Sequence, residues 1–285
     1  MTDDLEALKA WVGKTEIFEE RVSAGRVQGL AALLDKPDIP RDGDLMRPMD
    51  HWCFFKPRVR QSEIGPDGHP KRGDFMPPVP LPRRVFGGFR AVYHQPLRLG
   101  EMARKEAKII AVAIKQGRDG PLVICTVSNR FSGENGLAIE EEHDFIYRGD
   151  PPAKTTKTPE TKPSAAPPPA FDYSQVITPD PVMLFRYSAC TFNGHRIHYD
   201  YKYVTEVEGY PGLIVHGPLI ATFLMELAMG NNPDKTPTGY TFQARAPLFG
   251  HETFTVAGKT IGDGCETWSL RPDGQVSATG VVKFQ

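Results

Sequence analysis

Two short stretches of this chain concentrate the side chains able to move protons and to hold negative charge. The run Phe192-Asn193-Gly194-His195-Arg196-Ile197-His198-Tyr199-Asp200 brings histidine, asparagine, arginine and aspartate close together. Histidine takes and returns protons near neutral pH more readily than any other side chain. Asparagine has a donor and an acceptor and can hold a water against a histidine. Further on, Gly212-Leu213-Ile214-Val215-His216-Gly217-Pro218 opens into an apolar run. A glycine at the start of a buried helix lets a ligand oxygen approach free backbone amides, where the helix dipole favours negative charge. A proton-transfer pair beside an oxyanion donor is equipment for chemistry next to a carbonyl. His195, His198 and His216 lack the spacing of a zinc motif, so no metal is expected. The competing reading makes the histidines ordinary surface or core residues and Gly212 and Gly217 turn formers.

These residues need elements to hold them. Leu219, Ile220, Phe223, Leu224 and Leu227 share one helical face, with Pro218 in the first turn and Gly230 at the end. Val182 to Cys190, ahead of the polar run, reads as a strand. Alternation after the helix predicts strands Tyr240–Ala246, Thr253–Ile261, Glu266–Arg271 and Val276–Phe284, with a hairpin turn at Asp273-Gly274. The other half begins with a short amphipathic helix over Leu5 to Val12. A second runs from Ser23, a plausible N-cap, to Leu34, and Pro37 stops it. Asp42 to Pro57 is rich in aromatic residues and fits a helix or packing under a loop. Residues 62–84 are turn-rich and carry Lys71, Arg72, Arg83 and Arg84, which could face an anion or form a solvated basic loop. Strands are predicted at Gly88–His94, Ala103–Lys115, Leu122–Phe131 and Leu137–Tyr147, with a hairpin at Asp119-Gly120.

Between the halves, residues 150–170 hold proline, threonine, lysine and alanine and nothing to bury, which predicts an extended linker. The expected units are therefore 1–149, the linker 150–170 and 171–285. Gly88-Phe89 followed by Pro96-Leu97, and Gly239-Tyr240 followed by Pro247-Leu248, keep the same spacing at the same place in each half, which suggests a duplication. Helices followed by antiparallel strands make the class α+β.

Composition sets the remaining bounds. With 40% apolar residues, 24% charged residues and a net charge of −1, there is no electrostatic case for nucleic acid or an anionic membrane. Four scattered cysteines read as core residues in a reducing compartment. An acidic N-terminus without an apolar signal core makes a cytoplasmic protein the expectation.

The run from Phe185 to Ala228 resembles the MaoC-like, or type 2, enoyl-CoA hydratases. Their motif places an aspartate, an asparagine and a histidine ahead of a His-Gly at a helix start. Here the aspartate position holds Asn193 and the asparagine position His195, while His198 and His216-Gly217 are kept. This variant is similar to a subgroup of 3-methylfumaryl-CoA (mesaconyl-C4-CoA) hydratases, itaconyl-CoA hydratases and 3-hydroxyacyl-thioester dehydratases. Gly65-Pro66-Asp67-Gly68-His69-Pro70, Pro80-Leu81-Pro82-Arg83-Arg84 and Ile146-Tyr147-Arg148 carry the likeness into the first half.

The resemblance implies a double hot dog, two antiparallel sheets each wrapping a central helix, with catalysis in the second half. It implies reversible hydration of an enoyl-CoA, such as 3-methylfumaryl-CoA or itaconyl-CoA to citramalyl-CoA, with no cofactor beyond the CoA of the substrate. His198 and Asn193 would hold the water, and the Gly217 amide would bind the thioester oxygen. His216, Arg245, Arg196 and Asp200 are the expected substrate-binding residues. Asp200 would also support His198, since an amide at 193 cannot act as a base. Arg245, Arg196 or Arg90 could pair with a free acyl carboxylate. An acyl-CoA is the expected partner, and a homodimer stays open. Three alternatives share these motifs: a 3-hydroxyacyl-thioester dehydratase of fatty acid synthesis, a hot dog thioesterase and a non-catalytic acyl-CoA-binding protein.

Overall fold

The computed structural model describes residues 2–117, 120–149 and 169–285. Ten antiparallel strands form one sheet in the order β1-β3-β4-β5-β2-β7-β10-β9-β8-β6. The first half supplies β1 (Thr15–Arg21), β2 (Arg83–Tyr93), β3 (Met102–Gly117), β4 (Gly120–Gly133) and β5 (Gly136–Arg148). The second supplies β6 (Tyr173–Ile177), β7 (Pro237–Ala244), β8 (Phe254–Ile261), β9 (Gly264–Leu270) and β10 (Val276–Phe284). The order reads the same from both edges once β1 is matched to β6 and β2 to β7. Gly88-Phe89 and Gly239-Tyr240 lie on β2 and β7, with Pro96-Leu97 and Pro247-Leu248 just beyond each strand's end, and the two strands pair with each other, Phe89 opposite Phe242 and Ala91 opposite Tyr240. This pairing joins the two halves' sheets into one. The expected linker lies outside the described residues except for 169–170, and so does Asp119 of the expected hairpin.

The helices are α1 (Thr2–Glu6), α2 (Ala24–Leu33), α3 (Pro181–Thr191) and α4 (Gly217–Gly230). A 3-10 turn, Ala7–Trp11, continues α1, and Leu5 and Leu8 are buried there. α2 starts where expected, but Ser23 makes no side-chain cap. Asp42 Oδ1 instead accepts the Ala24 N–H at 2.9 Å from across a loop. α3 corrects the strand expected over Val182 to Cys190. Asp180 accepts the Met183 N–H at 2.6 Å, Pro181 occupies the first turn, and Leu184, Tyr187, Ser188 and Thr191 are buried at helical spacing.

α4 is the organising element. Leu219 through Met225 are all buried, as are Leu227 and Ala228, so the helix is covered on nearly every side and not only along one stripe. Each such Leu, Ile, Phe or Met contributes about 1.5–3 kcal/mol by leaving water. Strands β7 to β10 pack against it. Glu226, its charged residue, ion-pairs with Lys36 of the first half. Among the described residues the first half has no helix of this length in that place. A 3-10 turn, Asp50–Cys53, stands there, with Trp52 packed edge-on against Phe89 at 4.9 Å. Among the described residues no helix is long and apolar enough to cross a membrane.

Candidate active site

His198 sits in a short 3-10 turn, Arg196–His198, between α3 and α4. The turn is held because Phe192 ends α3 in a left-handed conformation (φ 48°), which swings the chain back across the helix. The His198 ring is buried, and its Nδ1 lies 2.8 Å from the Ile214 carbonyl oxygen. A carbonyl can only accept, so Nδ1 carries the proton and Nε2 keeps its lone pair. Among the described residues nothing hydrogen-bonds Nε2. Burial lowers the His198 pKa from 6.5 to about 4, so the ring is a neutral base at physiological pH.

His216 stacks on His198, ring centroids 3.6 Å apart and planes 18° apart. It has no accessible surface, its Nε2 lies 2.8 Å from Ser188 Oγ, and Tyr187 meets its ring edge-on at 4.9 Å. It therefore walls the site and keeps a second imidazole neutral beside the first. The ring of His216, an expected substrate-binding residue, is here engaged by Ser188 and Tyr187. His216 is also the N-cap of α4, which places the Gly217 N–H at the free end of the helix. That N–H has no partner among the described residues. A Cβ at Gly217 would come 3.1 Å from Phe86 Cδ1 on β2, so glycine keeps the approach to the amide open.

The first half shows what this end requires. Met46 N–H donates to the Leu97 carbonyl as Val215 N–H donates to that of Leu248, both at 2.8 Å. The bridges Leu45–Arg98 and Ile214–Phe249 match in the same way. Arg47 then stands where the second half has His216, and Pro48 where it has Gly217. Proline has no N–H to offer an oxyanion.

The other expected residues separate. Asn193 lies close by in sequence, but its Oδ1 accepts the His195 N–H at 3.0 Å, closing a local turn. Asp200 does not support His198. Its carboxylate accepts Arg196 Nε at 3.0 Å and Nη2 at 2.8 Å, and the Tyr203 N–H at 3.0 Å. Arg196 is thereby committed, and it also donates to the Pro66 carbonyl at 2.9 Å. Arg90 is bound to Glu142 and Asp144 on the outer strand surface. Arg245 is exposed beyond the end of β7, with its N–H donated to the Ser277 carbonyl at 2.9 Å. None of the three arginines joins the histidines. A groove of about 440 Å³ along the β2–β7 seam is lined by Gly87, Gly88 and Arg90, and no histidine of the site borders it.

Sequence reasoning did not name the residues that the first half brings to the site. The turn Gly65–Pro70 docks on the polar run, with the Arg196 N–H donating to the Asp67 carbonyl at 2.9 Å. It delivers His69, whose ring centroid is 4.3 Å from that of His195, which in turn meets His198 edge-on at 5.5 Å. Asp67 holds His69 twice, accepting its backbone N–H at 3.0 Å and lying 3.1 Å from Nδ1. Asp67, His69 and His195 each offer a ligand atom within 4.8 Å of the others. Two of those three are already hydrogen-bonded to each other. The Pro-Asp-Gly-His sequence was visible as a turn, but nothing local to it points to residues 195–198.

Burial also lowers the pKa of His69, His195 and His216, the last two well below 6.5. An unfolded chain takes up these protons below pH 6.5, while the folded chain resists them. Each such group then removes about 1.4 kcal/mol of stability per pH unit on acidification, until its folded pKa is reached. An imidazole acts as a base only when neutral. In brief assays at acid pH, kcat/KM is therefore expected to hold from pH 7 to pH 5 and to fall only near pH 4, while thermal stability drops steeply from pH 6.5. A kcat/KM limb at 6.5 with unchanged stability would remove His198 as the base.

The sequence and the fold match known proteins. The family model described as hydroxyacyl-thioester dehydratase type 2 matches residues 49–250. The mesaconyl-C(4)-CoA hydratase of Chloroflexus aurantiacus is 42% identical over 276 residues, covering 96% of this chain and 97% of that protein. The mitochondrial hydroxyacyl-thioester dehydratase type 2 of Schizosaccharomyces pombe is 27% identical over 229 residues, 72% of this chain and 74% of that one. Among solved structures, HtdX of Mycobacterium tuberculosis superposes with a TM-score of 0.68 at 16% identity, over 95% of this chain and 100% of that one. A second protein from that organism, described as having a double hot dog fold, gives 0.55 at 13% identity over 96% of both chains. The fold is a double hot dog.

Proposed function

This chain belongs to the hydroxyacyl-thioester dehydratase type 2 family and is a hydro-lyase, and we propose that it adds water reversibly to the double bond of a short dicarboxylic enoyl-CoA. The observation that carries the reading is the pairing of a free His198 Nε2 with the unengaged Gly217 N–H at the start of α4. His198 takes a proton from water as the oxygen bonds to the β-carbon. The displaced electron pair collects on the thioester oxygen against the Gly217 amide, and the proton on His198 passes to the α-carbon. His195, backed by the Asp67–His69 pair, is the neighbour able to hold the water, since Asn193 Oδ1 is engaged elsewhere. The second half does the chemistry, because Pro48 leaves the first without the amide. The reaction needs no cofactor beyond the CoA of its substrate.

The 42% identity to a mesaconyl-C(4)-CoA hydratase, against 27% to a hydroxyacyl-thioester dehydratase, favours 3-methylfumaryl-CoA over a fatty acyl chain. Purified protein offered 3-methylfumaryl-, itaconyl-, crotonyl- and longer enoyl-CoA is expected to turn over the first fastest. Loss of enoyl-thioester absorbance reports the conjugated substrates, and mass spectrometry the hydrated itaconyl product. Pretreatment with a chelator is expected to leave the rate unchanged. Release of free CoA would make the protein a thioesterase instead. Preference for long chains would place it with the dehydratases.

A further inference from the structure

We infer that Arg84 is the residue that reads the free carboxylate of the acyl group, an inference that rests on the dicarboxylic reading above. The neighbouring arginines are engaged. Arg72 donates to the carbonyls of Val79, Leu81 and Pro82. Arg83 ion-pairs with Glu208 at 3.2 Å, and Arg148 donates to the Tyr210 hydroxyl at 2.8 Å. Arg196 is held by Asp200. Arg84 differs. Its half-buried guanidinium lies over the Phe145 ring, 4.4 Å from the centroid, and has no hydrogen bond or carboxylate partner among the described residues. A partly desolvated guanidinium left unpaired is costly unless an anion completes it. Its planar fork fits a carboxylate through two parallel bonds.

Position fits the same ligand. On β2, Arg84 lies opposite Tyr147, and Phe86 lies opposite Phe145. Residues two apart on a strand face the same side, about 6.6 Å from one another. Phe86 is the residue that meets the Gly217 position at 3.1 Å. Arg84 therefore stands one side-chain repeat beyond the amide that would hold the thioester oxygen. A four-carbon diacid spans that interval, with its thioester at Gly217, its double bond beside the histidines and its second carboxylate at Arg84. The positive charge of Arg84 also helps lower the pKa of His69 and His195, which places it within electrostatic reach of the site.

The test compares wild type, Arg84→Met and Arg84→Lys on 3-methylfumaryl-CoA and crotonyl-CoA, which differ in the distal carboxylate. Arg84→Met keeps an apolar stem against Phe145. It is expected to lose about 100-fold or more in kcat/KM on the diacid, because the carboxylate is left unpaired, and to stay within about threefold of wild type on crotonyl-CoA. Arg84→Lys is expected to fall between them. Crotonyl-CoA turnover doubles as the check on folding. Equal losses on both substrates would assign Arg84 to the CoA moiety or the scaffold and overturn the proposal. Wild-type turnover of the diacid is read separately. Its absence would overturn the dicarboxylic function, and with it the ligand assigned here, whatever the variants do.

Discussion

Replacing His198 by alanine is expected to lower kcat at least a hundredfold while leaving a folded protein. The loss follows from the tautomer. Nδ1–H is spent on the Ile214 carbonyl, so the ring's catalytic capacity resides in Nε2, and no neighbour can substitute for it. His216 is stacked parallel at 3.6 Å but is sealed from solvent and bound to Ser188. Asp200 is tied to Arg196. A positioned acid–base group is worth about 10²–10⁴ in rate. The structural cost is smaller. The Ile214 carbonyl loses a buried partner, about 1–3 kcal/mol, against a total stability of about 5–15 kcal/mol for an ordinary domain. Kinetics on the preferred enoyl-CoA, with thermal unfolding measured beside them, separate the two effects. KM is expected to change little, because His198 acts on the water and not on the thioester. Turnover near the wild-type value in a folded variant would rule out His198 as the base.

Much of this arrangement was legible in the chain because it is local. His216-Gly217-Pro218 followed by apolar residues specifies a buried helix with an accessible start, and α4 begins at Gly217. The long strands β3 to β5 and β8 to β10 carry alternating patterns broken by turn residues. The edge strands β1 and β6 do not. β1 reads Thr-Glu-Ile-Phe-Glu-Glu-Arg, and such charge protects an exposed edge while hiding the strand from a hydrophobic pattern. α3 resembles a strand in composition although its buried positions, 184, 187, 188 and 191, keep helical spacing. Its Val, Phe, Tyr and Cys content outweighed that period. The roles of Arg196, Asp200 and Asn193 were not legible, because proximity in sequence does not say which polar groups neutralise each other. Arg84 lay in plain view beside Arg83. What distinguishes them is that one has a carboxylate partner and the other has none among the described residues, which only folding decides.

The least legible feature makes the second prediction. Gly68 is 126 residues from Gly194 in the sequence, yet a Cβ on it would come 1.8 Å from the Gly194 carbonyl oxygen and 2.8 Å from its carbon. Its φ of +91° adds the strain of a left-handed conformation, about 1–2 kcal/mol for a residue with a side chain. Backbone cannot yield as a flexible side chain would, so Gly68→Ala must push the turn off the polar run. The Arg196 bonds to Asp67 and Pro66 then break, and His69 leaves His195. Gly136→Ala supplies the comparison. Its φ is +94° and nothing lies within 4 Å of the added Cβ, so it carries the strain without the collision. Gly136→Ala is expected to lose a few degrees of thermal stability and keep its kcat. Gly68→Ala is expected to lose more stability and at least tenfold in kcat, as a displacement of even about 1 Å can cost about 10² in rate. If the two variants match in both measurements, the first half merely completes the sheet. If they diverge as expected, the half without the oxyanion amide still helps to hold the water, and the duplicated fold forms a single active site.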